Sequence, residues 1–65
     1  MSTLPLKYKT HRVAARNLKV GTVTYRDGEI VSIRPQNGIG CVYTFLGGHE
    51  EFYLYNDRVR IYLYL

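Results

Sequence analysis

The chain has 65 residues, nine Lys and Arg, five Asp and Glu and a formal net charge of +4, with a single cysteine and no tryptophan. That length makes one domain, in which a basic N-terminal segment (1–16) precedes the main body (17–65). A chain so short buries only about 60% of its unfolded surface, so a staple or a partner is often needed to supplement the core. Cys41 alone cannot form an internal disulfide, and His11 and His49 stand too far apart to supply a structural zinc quartet, so oligomerisation remains as the route to extra stability. Neither a signal-peptide pattern nor an apolar stretch long enough to span a bilayer is visible, since the longest uncharged run, Pro35 to Gly48, is rich in glycine. Taken with the lone thiol, this predicts an intracellular, cytoplasmic setting without membrane contact.

The charge is uneven. Residues 1–26 hold Lys7, Lys9, Arg12, Arg16, Lys19 and Arg26 and no acid, whereas residues 27–65 hold three arginines against five acids. A basic N-terminal third points to an anionic partner such as nucleic acid.

In chain order, almost every segment reads as strand. "LPLKYKTH" alternates Leu4, Leu6 and Tyr8 with Lys7, Lys9 and His11, and Pro5 suits an edge or a strand start. "RVAARNLKVG" breaks the alternation and predicts one helical turn or a loop. "TVTYRDGEIVSIRP" predicts a hairpin at Asp27-Gly28. Of the two registers weighed, a three-residue loop with left-handed Gly28 gathers Val23, Tyr25, Val31 and Ile33 on one face, with Thr22, Thr24, Ile30, Ser32 and Arg34 outward. Burial favours that register, because a slip of one residue inverts every side chain.

"PQNGIG" is a loop. "CVYTFLGGHEEFYLY" predicts a second hairpin turning at Gly47-Gly48. Pairing Phe45 with Glu50 collects Cys41, Tyr43, Phe45, Phe52 and Leu54 on the apolar face, leaving Val42, Thr44, Glu51, Tyr53 and Tyr55 opposite. "NDR" leads into a closing strand, Val59 to Leu65. Its Ile61, Leu63 and Leu65 alternate with Arg60, Tyr62 and Tyr64.

About five short antiparallel strands, tight glycine turns and at most one short helical turn define an all-β chain. Closure into a small barrel would remove exposed edges. The order "NLKVGTVTYRDGEIVSIRP", a glycine turn, "CVYTF", a hairpin and a last strand after "YNDR" resembles small SH3-like β-barrel proteins of phage and bacterial type over residues 17–65. The resemblance implies a fold and no single function.

Catalysis finds little support. Glu50 and Glu51 are adjacent and face opposite ways on a strand, His49 sits at a hairpin tip with no fixed partner implied, Cys41 reads as a small core residue, and "GIGC" has no following helix to aim at an anion. The chain is therefore expected to be non-enzymatic and to need no cofactor or metal. The aromatic and basic set is stronger. Tyr53, Tyr55, Arg58, Arg60, Tyr62 and Tyr64 fall on the expected outer side of the last two strands. There they could stack on bases while Lys7, Lys9, Arg12, Arg16, Lys19, Arg58 and Arg60 meet phosphates. The same tyrosines and arginines could instead bury against protein. The expectation is a module that self-associates and binds an anionic partner, first of all DNA or RNA. The alternative is a small phage-type (viral) inhibitor that binds a host protein or sequesters a signalling nucleotide.

Overall fold

A computed structural model describes residues 8–64 as an antiparallel, all-β chain. Six strands follow in order: β1 Tyr8–Ala14, β2 Val23–Thr24, β3 Gly28–Gln36, β4 Gly40–Phe45, β5 Glu50–Leu54 and β6 Arg58–Tyr64, with a single 3-10 turn at Ala15–Asn17. They form one sheet in the order β1-β6-β2-β3-β4-β5. The basic N-terminal strand joins this sheet, pairing with β6 from Tyr8↔Tyr64 to Ala14↔Arg58. Leu4, Pro5, Leu6, Lys7 and Leu65 lie outside the described residues.

The expected closure does not occur. Among the described residues β1 pairs only with β6 and β5 only with β4, so both are edges. Where the two would meet, the 3-10 turn intervenes. Ala15 N–H donates to the Asp57 carbonyl at 2.8 Å and Arg16 N–H to the Tyr55 carbonyl at 3.1 Å, which ties the end of β1 to the β5–β6 turn in place of a ladder. The core lies inside the curved sheet, where Ala15, Leu18, Ile30, Tyr43, Phe45, Val59 and Ile61 form one buried cluster, with Val13, Ile33, Cys41 and Tyr53 packed against it.

Both hairpins adopt registers other than those expected. In the first, Val23 pairs with Glu29 and Thr24 with Gly28, so the loop is Tyr25-Arg26-Asp27. The Thr24 hydroxyl accepts from Asp27 N–H at 3.1 Å and donates to the Gly28 carbonyl at 3.0 Å. This clamp places Thr24 and Ile30 inside, whereas Val23, Tyr25 and Val31 are exposed. A bulge between Ile30 and Ser32 then shifts the alternation, which returns Ile33 to the core side. Gly28 does take the left-handed conformation, at φ 92°.

In the second hairpin Phe45 N–H donates to the His49 carbonyl at 2.8 Å and Gly48 N–H to the Phe45 carbonyl at 2.8 Å. The loop is therefore the three residues Leu46-Gly47-Gly48, and two successive glycines at φ 105° and 98° permit it. Tyr43 then faces Glu51 and Cys41 faces Tyr53. Tyr43 and Phe45 stay in the core as expected. Phe52 and Leu54, placed there by the expected pairing, turn to the other side, and Tyr53 takes their place. Gly40 of "GIGC" is a packing glycine, since a Cβ on it would stand 2.1 Å from the Tyr53 carbonyl oxygen.

Candidate anion-binding cleft

The β1–β6 register sets Arg12 directly opposite Arg60, flanked by Thr10↔Tyr62 and Ala14↔Arg58. Opposed residues of an antiparallel pair share a face, so Arg12, Arg58, Arg60 and Tyr62 project together, while Val13, Val59 and Ile61 project to the core side. Like charges held directly opposite are destabilising, and among the described residues no carboxylate pairs with Arg12, Arg58 or Arg60.

The first hairpin's loop lies across this face. Tyr25 N–H donates to the Arg60 carbonyl at 2.9 Å. The Tyr25 ring lies 5.7 Å from that of Tyr62, and the Arg60 guanidinium 5.6 Å from the Tyr25 ring centre. From β5, Tyr53 completes a cleft of about 400 Å³ walled by Arg12, Arg26, Arg58 and Arg60 and by the rings of Tyr25 and Tyr53, with Asp27 as its one acid.

Asp27 is almost enclosed, its side chain 8% exposed, with His49 Nε2 at 3.4 Å and Arg26 Nε at 4.0 Å. The Tyr53 hydroxyl donates to it at 3.5 Å. Burial, reinforced by the charges of Asp27 and Glu51, pushes the Tyr53 phenol above its ordinary value, so the group stays a neutral donor. His49 Nε2 is also 2.8 Å from Glu51 Oε2, and its ring stacks on Phe45 at 5.9 Å. Asp27, His49 and Glu51 are, among the described residues, the group whose side chains could hold a metal ion.

Of the residues singled out in the sequence, Arg12, Arg58, Arg60 and Tyr53 gather here. Lys9 lies across from Leu63, on the opposite side of β1 from Arg12. Arg16 is held by the Asn56 side chain, and Lys19 is exposed in the segment before β2. Tyr55 is half-buried in the β5–β6 turn, and Tyr62 is half-buried beside Tyr25. Tyr64 pairs with Tyr8 through β1 and β6; its side chain, like Lys7, is outside the described residues. Tyr53, expected on the outer face, turns inward and packs at 5.6 Å from Tyr43, because the tighter second loop inverts β5.

Sequence reading missed Tyr25, assigned to the core, and Arg26, Asp27 and His49. The cross-hairpin meeting of Asp27 with His49 has no local sequence signal. Glu50 and Glu51 do face opposite sides. Glu50 accepts from Arg34 and from Thr44, each at 3.2 Å, and these contacts hold its carboxyl below the usual range.

No family model, curated protein or solved structure matches this chain. Among the described residues no helix is long and apolar enough to cross a membrane.

Proposed function

We propose that this chain is a non-catalytic binding module whose cleft takes up single-stranded nucleic acid. The observation that carries the reading is the convergence of Arg12, Arg58 and Arg60, none with a carboxylate partner among the described residues, on a cleft that also holds Tyr25 and Tyr53. A phosphate seated between Arg12 and Arg60 turns their mutual repulsion into attraction. A volume of about 400 Å³ lies in the range of small-ligand sites, about 300–1,000 Å³. It therefore suits one splayed nucleotide and its flanking phosphates better than a duplex, whose base faces are hidden. Tyr25, 57% exposed, offers a stacking surface typically worth about 1–3 kcal/mol per base.

Fluorescence anisotropy with labelled single-stranded DNA and RNA oligonucleotides from low to physiological salt tests this. Affinity should fall linearly on a log–log plot with a slope near −2, from about 0.7 for each of three phosphates neutralised. Arg12→Gln with Arg60→Gln should weaken binding at least tenfold and flatten that slope by about 1.4, two of the three increments of about 0.7. Tyr25→Ala should weaken binding and leave the slope alone. Absence of binding even at low salt overturns the proposal, and a partner contact indifferent to salt supports the rival reading as an inhibitor of another protein.

A second reading, self-association, rests on a different observation. The sheet has two unpaired edges among the described residues, β1 bearing Lys9, His11 and Arg12 and β5 bearing Glu50 and Glu51. The C-terminal strand itself is interior, paired on both sides, so a second copy would add at β1 or β5.

A further inference from the structure

Beyond the arginines, the densest ligand chemistry lies where the tips of the two hairpins meet. Asp27 comes from the β2–β3 loop, His49 from the residue preceding β5, and Glu51 from β5 itself. The donor atoms of all three lie within 4.8 Å of one another. We propose that Asp27, His49 and Glu51 bind one first-row divalent cation, with Zn²⁺ preferred. This site goes beyond anion binding and does not depend on it.

The spacing suits the ion. Ligand atoms about 2.0–2.2 Å from a tetrahedral zinc stand roughly 3.4 Å from one another. His49 Nε2 lies 3.4 Å from Asp27 Oδ1 and 2.8 Å from Glu51 Oε2, so a small rotation of the Glu51 side chain completes the set. The ring of His49 is already seated on Phe45, which limits the freedom lost on binding.

Asp27 supplies an independent observation. Its side chain is only 8% exposed, yet its ionic contacts stand at 3.4 and 4.0 Å and its hydroxyl donor at 3.5 Å. All three exceed the roughly 2.7–2.9 Å of a charge-assisted hydrogen bond. An enclosed carboxylate ordinarily calls for closer compensation, and a cation between Asp27, His49 and Glu51 provides it. Arg26 is no obstacle. It reaches Glu51 at 3.7 Å from a side chain 75% exposed, and exposed pairs of this length contribute little, so the guanidinium can swing towards solvent.

The donors also select the metal. One imidazole with two carboxylates suits Zn²⁺ or Mn²⁺, whereas soft Cu(I) favours sulfur and Mg²⁺ favours an all-oxygen octahedron. Three protein ligands leave at least one position open, and since Asp27 lines the cleft, that position lies beside it.

Isothermal titration of the full chain carrying Cys41→Ser, which removes the lone thiol, tests the site with ZnCl₂, MnCl₂ and MgCl₂ in metal-free buffer. The expected result is one Zn²⁺ per chain, with Mg²⁺ at least a hundredfold weaker and the melting temperature raised by Zn²⁺. Asp27→Asn and His49→Gln should each reduce Zn²⁺ affinity at least tenfold with an unchanged far-ultraviolet spectrum, and His11→Gln should not. His49 is 55% exposed at its side chain, so its variant reads the site even if Asp27→Asn fails to fold. No saturable Zn²⁺ binding, binding that survives His49→Gln, or Mg²⁺ bound as tightly as Zn²⁺ overturns the proposal.

Discussion

Tyr43 heads the fully buried side chains by volume, at 1% exposed, and its hydroxyl donates to the Ala15 carbonyl at 2.8 Å. One bond therefore ties β4 to the 3-10 turn, and one ring fills the centre of the core. Burial, with Cys41 beside it, pushes this phenol up to about 12 from an ordinary value near 10. The neutral form is thus favoured in the folded chain more than in the unfolded one. Because the folded value is the higher, the stabilisation is fully present below pH 10 and lost as pH rises towards 12. At about 1.4 kcal/mol per tenfold change in equilibrium, the loss is on the order of 3 kcal/mol, a large part of the stability of a small domain. Urea denaturation at pH 8, 10 and 11.5 should show stability flat to pH 10 and falling beyond. Tyr43→Phe should be less stable at pH 8, having lost the bond to Ala15, and should show a clearly smaller alkaline decline. An unaltered alkaline decline in that variant would mean other tyrosines govern it.

At the scale of elements, Thr24 decides how the first hairpin is read. It is 1% exposed, and its hydroxyl serves both Asp27 N–H and the Gly28 carbonyl. Thr24→Val keeps the shape and leaves both groups without that partner, which costs about 1–3 kcal/mol for a buried group. It also loosens the loop that carries Tyr25, Arg26 and Asp27 into the cleft. The variant should melt lower and bind oligonucleotide more weakly, whereas Thr22→Val, at a half-buried neighbour, should do much less. Equal melting points for the two variants would remove the clamp from the account.

The same residue shows where sequence pattern runs out. Alternation and glycine turns mark the hairpins and the 3-10 turn, because backbone propensity and turn chemistry are local. Register is not local. A buried threonine satisfied by its own loop defeats the expectation that Val23, Tyr25 and Val31 go inside, and the bulge after Ile30 resets the alternation without a glycine to announce it. At Gly47-Gly48 the choice between a three- and a four-residue loop inverts β5 and with it Tyr53. Arg12, Arg58 and Arg60 were legible as a basic set because charge needs no register. Their meeting with Tyr25 and Asp27 depends on it, as does the approach of His49 to Asp27.

For the whole molecule, the consequence of an open sheet is a pair of unlike edges. An unpaired edge is a template for another chain, and in this chain one edge carries bases and the other acids. Antiparallel docking of β1 from one copy on β5 of the next, with Arg12 opposite Glu50, sets His11 opposite Glu51 and Lys9 opposite Tyr53. In that register the core-side residues of the two strands remain on one side, which a slip of one residue would undo. Opposed charges of this kind contribute roughly 0.2–1 kcal/mol each and weaken with salt, so the assembly should be concentration-dependent and salt-sensitive. The contact is head-to-tail, and every open assembly keeps one free edge of each kind at its two ends, so assembly continues into rings or filaments. Light scattering should find masses above the monomer at low salt that decline at high salt. Glu50→Lys or Arg12→Glu alone should give monomers. Mixing the two variants restores both complementary contacts, the new acid on β1 of one against the new base on β5 of the other, and the unchanged Arg12 against the unchanged Glu50. Opposite charges also remain at the outer edges, Arg12 on β1 of the Glu50→Lys variant and Glu50 on β5 of the Arg12→Glu variant, so the mixture should regain the larger masses with the two variants alternating. A wild-type chain that stays monomeric at millimolar concentration, or charge-reversed variants that assemble as the wild type does, would leave the edges without this role.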